Sequence, residues 1–241
     1  MPLHIACADL DALRERCDFA TVRTIKNEPE YEDGAVVPSG LWQPLPEAVG
    51  LLLTAPQWAP PSTLVEIVRP PVPKGEELEV LAARMGDSDA VYLGQAHAKP
   101  DMMTTTENYA AGKLLGLHLD NWDKLLYGAK ARGRRRLAVN LGPGSRYIIL
   151  GALDAQAVCR AVHPTDYNLR YPHTNDYREH VAAGHPVQVI RIRLAPGEGY
   201  IAPTEYLLHD GSTEGQEEPS TAAFWLGRWA RGALPSLIEP T

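Results

Sequence analysis

From residue 90 onward the chain is broken into short apolar runs, each closed by Gly, Pro, Asn or Asp, at 90–93, 114–122, 137–141, 146–150, 187–194, 199–202, 206–209 and 222–228. Runs of that length between turn residues predict β-strands. The clearest is 187–194, where Val187, Val189, Arg191 and Arg193 alternate with Gln188, Ile190, Ile192 and Leu194. That period of two puts successive side chains on opposite faces of a sheet. About seven or eight such strands predict a mainly β fold of the sandwich or jelly-roll kind. Gly and Pro together number 41 of 241 residues, which favours a loop-rich β architecture and excludes a coiled coil.

The first 89 residues have a different texture and are expected to wrap the core rather than build it. A short helix is predicted over 9–17 around Leu10 and Leu13, and 29–73 is dense in proline. A second helix is predicted over 76–85, where Leu78, Leu81, Ala82 and Met85 share a face ahead of Gly86. The chain thus reads as a single domain, 1–241, with a supporting region 1–89 and a core 90–241 carrying an insert at 162–184. Ahead of that insert, 154–162 reads as a helix. Gly142-Pro143-Gly144 reads as a hairpin turn.

A formal net charge of −7 argues against a general nucleic-acid binder and favours a small-molecule substrate. Cys7, Cys17 and Cys159 have no metal-ligand spacing, and an odd number cannot complete a disulfide framework. Charged residues interrupt the first 20 positions, and no apolar stretch approaches a membrane span. Reduced thiols, a cytoplasmic location and no membrane partner are the expectation; the oligomeric state is left open.

His118-Leu119-Asp120 places two metal-competent side chains two apart, and in an extended segment that spacing aims both at one face. An imidazole and a carboxylate joined by a second, distant histidine make the facial triad that leaves three positions open on Fe(II). His209 is the best distal candidate, at the end of Pro196-Gly-Glu-Gly-Tyr-Ile-Ala-Pro203 and the strand that follows.

This pairing, spread over 114–229, resembles the Fe(II)/2-oxoglutarate-dependent oxygenases, whose core is a double-stranded β-helix, the jelly roll. The resemblance implies that His118, Asp120 and His209 hold Fe(II), that 2-oxoglutarate chelates it through its keto oxygen and C1 carboxylate, and that O2 binds beside it. It implies hydroxylation rather than chlorination, since Asp120 fills the position that related halogenases leave vacant. A cation must also pair with the far carboxylate, for which the arginine fork is suited. Arg228, the first Arg after His209, is narrowly favoured over Arg146. Asn140 and Tyr147 are expected to hydrogen-bond the cosubstrate. Asn121 and Trp122 beside the triad, and Arg170 in the insert, are expected to meet the substrate, although Trp122 also reads as core.

The run Arg132-Gly-Arg-Arg-Arg136 reads first as a solvated edge, and second as an attractor for an anionic substrate or an acidic carrier protein bearing it. His173, His180 and His185 are expected outside the metal site. The alternatives are a cupin-type metal dioxygenase or isomerase without 2-oxoglutarate, and a metal-free jelly-roll binding module.

Overall fold

The computed structural model describes residues 3–71, 78–81 and 87–238. Among them run thirteen strands: β1 (His4–Ile5), β2 (Cys17–Thr24), β3 (Val36–Pro44), β4 (Leu64–Val68), β5 (Val91–Ala98), β6 (Glu107–Asn108), β7 (Lys113–Leu114), β8 (Arg135–Pro143), β9 (Arg146–Asp154), β10 (Gln188–Leu194), β11 (Gly199–Ala202), β12 (Leu207–Ser212) and β13 (Ser220–Gly227). A six-stranded sheet has the order β1-β4-β11-β8-β13-β5, and a five-stranded sheet the order β12-β9-β10-β2-β3. Neighbours are antiparallel except β1 and β4.

From β8 onward the chain shuttles between the sheets: β8 in the larger, β9 and β10 in the smaller, β11 back, β12 across again, β13 back. That winding is the jelly roll the strand count predicts. Every core strand foreseen is present except the one at 114–122, β11 with the expected bounds and the others shifted by a few residues at their ends.

Burial follows the alternation. Along β9 and β10, Ile148, Leu150, Ile190 and Ile192 are almost wholly buried in the main core, each worth roughly 1.5–3 kcal/mol relative to an exposed side chain. On β8, Ala138 joins this main core, while Leu137 and Val139 face the other way into a second cluster with Ile201, Ala223, Trp225 and Trp229. Two buried faces explain why β8 reads as a nearly continuous apolar run instead of an alternating one.

Three helices are set by their caps. Asp9 accepts from the Ala12 amide at the start of α1 (Leu10–Arg14). α2 (Glu47–Leu53) follows β3. Asp154 accepts from the Ala157 amide at the start of α3 (Ala155–Val162), as the sequence suggests. The insert carries α4 (Thr174–Ala182), opened by a reciprocal cap between His173 and Asp176. Of the helix expected over 76–85, Leu78–Val80 forms a 3-10 turn, and 76–77 and 82–85 lie outside the described residues. No helix among the described residues is long and apolar enough to cross a membrane.

Three expectations are corrected. The N-terminal region builds as well as wraps: β2 pairs with β10, and β4 with β11, so each sheet is extended by N-terminal strands. Residues 114–122 are no regular strand, because Gly116 adopts φ +68° and, after Leu114 at the end of β7, only single bridges follow, from Leu117 to Val36 and from His118 to His209. The turn at 142–144 joins no hairpin: it carries the chain from one sheet to the other.

Candidate metal centre

Gly116 brings the triad into place. Its backbone lies so close to β3 that a Cβ there would sit 2.5 Å from the Val36 carbonyl oxygen. The segment then hydrogen-bonds on both sides: the Leu117 amide donates to Val36, and His118 and His209 exchange two backbone bonds of 2.9 Å each. Asp120 is fixed by its amide donating to the Thr204 carbonyl. The Leu119 amide donates to Thr174 Oγ1 at the start of α4. An edge segment is thereby held as firmly as a strand interior.

His118, Asp120 and His209 are 6, 6 and 1 % exposed, and one ligand atom from each lies within 4.8 Å of the others. Each imidazole has Nδ1 beside a backbone carbonyl, Gly116 for His118 at 3.1 Å and Leu207 for His209 at 3.3 Å. A carbonyl can only accept, so Nδ1 carries the proton and the Nε2 lone pair is left for a metal. Nε2 of His209 and Oδ2 of Asp120, 3.7 Å apart, are buried with no hydrogen-bond partner. Buried polar atoms are rarely left so. Two neutral nitrogens and one carboxylate oxygen converging this way fit a divalent transition metal with open positions.

The charges agree. Burial alone would raise the Asp120 carboxyl, but Arg136 and the two histidines outweigh it and bring it down to about 2. Burial drives the His209 imidazole down to about 3, so it stays neutral and able to ligate. Burial also opposes a proton on His118, yet Asp210 and Asp120 raise its affinity for one.

A cavity of about 280 Å3 opens beside His209 between the two sheets. Arg146, at the start of β9, lines it and is 6 % exposed; Nη2 donates to Thr105 Oγ1 at 3.3 Å, while Nη1 has no partner. Gly211 makes room for this arrangement, since a Cβ there would lie 2.4 Å from Arg146 Nη2 and 2.5 Å from Thr105 Oγ1. The opposite wall is Arg136, Ala138, Asn140, Tyr200, Ala222 and Phe224.

The sequence candidates divide. The triad and Arg146 come together; Arg228 does not. It follows the end of β13, exposed and outside the cavity lining, because the strand stops at Gly227 and the side chain leaves toward solvent. Asn140 lines the cavity, but its amide group serves the backbone, donating to the Gly144 and Leu194 carbonyls and accepting from the Gly142 amide. Tyr147 is also in the lining; its hydroxyl accepts from Gln216 and its ring lies under Arg191. Asn121 points away, accepting from the buried Lys130 Nζ at 2.7 Å. Trp122 is no core residue: it is 55 % exposed at the cavity mouth with Tyr109. Arg170 is exposed, pairs with Asp166 and lies outside the lining. His173 caps α4, and His180 and His185 stack on each other, all away from the triad.

Two residues of the site escaped the sequence reading. Arg136, seen as part of a solvated basic run, has Nη2 2.7 Å from Asp120 Oδ2, outside hydrogen-bond geometry, and packs on the Phe224 ring. Arg134 and Arg135 of the same run pair with Asp123 and Glu66. A period of two started at residue 134 would have put Arg136 on the cavity face with Ala138 and Asn140. Asp210, which directly follows His209, is fully buried against His118.

No family model matches the chain, and no curated protein matches it in sequence. Among solved structures it is similar to the Kdo hydroxylase KdoO, a non-heme Fe(II) alphaketoglutarate dependent dioxygenase, in complex with cobalt(II), at 17 % identity over 64 % of this chain and 58 % of that one, TM-score 0.34. A second structure of KdoO, in complex with succinate and Fe(III), matches at 15 % identity over the same shares with a TM-score of 0.32. The chain therefore spans under two thirds of the length of those structures, and a likeness this distant leaves the functional reading to the geometry.

Proposed function

We propose that this protein is a non-heme Fe(II)- and 2-oxoglutarate-dependent oxygenase that hydroxylates an unactivated C–H bond of a small polar metabolite, releasing succinate and CO2. One observation carries the reading: His209 of a buried His-Asp-His triad, its Nε2 without a hydrogen-bond partner, lines the same cavity as a buried arginine with an unused Nη1. The triad would hold the metal on one face, and the metal would supply activation of O2 and oxidative decarboxylation of the cosubstrate. Arg146 would grip the far carboxylate of 2-oxoglutarate through Nη1. The isolated cation gains a counter-ion, and the dianion gains a single orientation. Burial keeps His209 neutral, so no proton competes for its Nε2 near neutral pH.

The cavity, about 280 Å3, lies just below the roughly 300–1,000 Å3 of ligand pockets, so with the cosubstrate inside only a small part of a substrate enters. The remainder would meet Trp122, Tyr109, Gln95 and Glu107 at the mouth. This favours a free metabolite or one presented on a carrier over a bulky ligand enclosed whole. Location in the cytoplasm and a single catalytic domain with insert 162–184 belong to the same proposal.

Turnover of 2-oxoglutarate tests it. Succinate and CO2 are expected only with Fe(II) and O2 present, and to vanish in His118→Ala. Metal binding without any succinate release, with substrate mixtures included, would favour the cupin-type alternative.

A further inference from the structure

Asp210 is fully buried and belongs neither to the triad nor to the cosubstrate's direct contacts, yet its carboxylate touches the surroundings of both. Oδ1 accepts from the Thr105 amide at 3.2 Å, the Thr106 amide at 3.1 Å and Thr106 Oγ1 at 2.8 Å, besides the neighbouring Gly211 amide at 2.6 Å. Those bonds clamp residues 105–106 over the edge of β12, where Thr105 Oγ1 receives Arg146 Nη2. Oδ2 has no hydrogen bond and lies 3.6 Å from His118 Nδ1, on the side of the ring opposite the ligand nitrogen.

With Oδ1 held by donors, the carboxylate is fixed in place, and Oδ2 is kept beside Nδ1, adding a negative charge next to the N–H that the Gly116 carbonyl accepts. A carboxylate behind a ligating imidazole fixes its tautomer and raises its basicity. The Gly116 carbonyl alone, at 3.1 Å, offers a neutral acceptor and no charge. Resting on the proposed metal site, we infer that Asp210 is the positioning residue that makes His118 a strong ligand and, through Thr105, holds the wall behind Arg146. Metal affinity and cosubstrate affinity would then share one buried side chain.

The substitution Asp210→Asn separates this from a packing role. It keeps shape and an acceptor for the threonine amides, but sets an N–H against the His118 Nδ1 proton. Titration of the apo protein with Co(II), followed by calorimetry and the visible ligand-field spectrum, is expected to show affinity lower by about 10–100-fold, and an altered spectrum. Thr106→Val, which removes one bond orienting the carboxylate and no polar atom of the triad, should give a smaller loss in the same direction if the Asn variant fails to fold. Thr105→Ala should weaken 2-oxoglutarate binding and leave Co(II) affinity intact. Wild-type Co(II) affinity and spectrum in Asp210→Asn, or in Thr106→Val should Asp210→Asn not fold, overturn the inference. A wild-type protein that binds no Co(II) at all overturns instead the metal-site reading beneath it.

Discussion

Arg146 and His209 show how much a single buried side chain commits this protein to. A guanidinium that is 6 % exposed with one Nη unused is costly to bury unless a ligand completes it. Arg146→Met is therefore expected to raise the KM for 2-oxoglutarate by about 10–100-fold, the worth of a charged hydrogen bond, while Co(II) affinity stays within about twofold of wild type. Steady-state succinate release and a parallel titration check both; an unchanged KM would return the far-carboxylate role to another residue. His209 makes a claim about pH in the apo protein. Its imidazole has an ordinary value of 6.5 and a folded one of about 3. Between those values the unfolded chain binds the extra proton, so stability falls as pH falls through that window. His118, raised by Asp210 and Asp120 against burial, acts oppositely: its contribution is present at low pH and lost as pH rises through its folded value. Replacing His209 with Gln removes only the first effect. The apo variant's melting temperature should drop less than the wild type's from about pH 7 to pH 4, and parallel curves by calorimetry would contradict the assignment.

At the scale of elements, the segment 116–120 does the work of a strand without being one. It is pinned by Val36 on one side, His209 on the other, Thr204 beneath and Thr174 at the start of α4. Its geometry depends on Gly116, where φ is +68° and a side chain would strike the Val36 carbonyl. Gly116→Ala should cost about 1–3 kcal/mol from the left-handed backbone alone, more with the collision, and loosen the triad. Urea denaturation and Co(II) titration should both register it; a loss in neither would mean that the segment is placed by something else. The sequence made the spacing of His118 and Asp120 plain, because two residues aim at one face wherever the backbone is extended. It did not show that the segment is an irregular edge, since the deciding contact is with Val36, some eighty positions away. A still longer separation hid Asp210, whose partners Thr105 and Thr106 come from an earlier part of the chain. Arg136 was obscured differently: amid neighbouring arginines a charge run outweighs alternation, although the period of two was present.

Across the whole molecule, the core strands were legible because each buried run lies between its own Gly, Pro or Asn punctuation, and pairing merely adjusts the ends. β3 and β4 were not, since prolines flank or enter them: Pro38 and Pro44 lie within β3, which is the outermost strand of the five-stranded sheet and can tolerate lost donors. The consequence is a larger sandwich than a minimal jelly roll, with N-terminal strands bracing β10 and β11, the two strands that lead into the His209 arm. That bracing holds His209 and Arg146 on neighbouring strands lining one cavity, and the function stands or falls with their joint occupancy. Anaerobic addition of Fe(II) and then 2-oxoglutarate to the purified protein tests it most directly. A weak visible metal-to-ligand absorption band should appear only with both present and be absent in His209→Ala. A wild-type solution that stays colourless at saturating iron and 2-oxoglutarate, with or without candidate substrates, would contradict it.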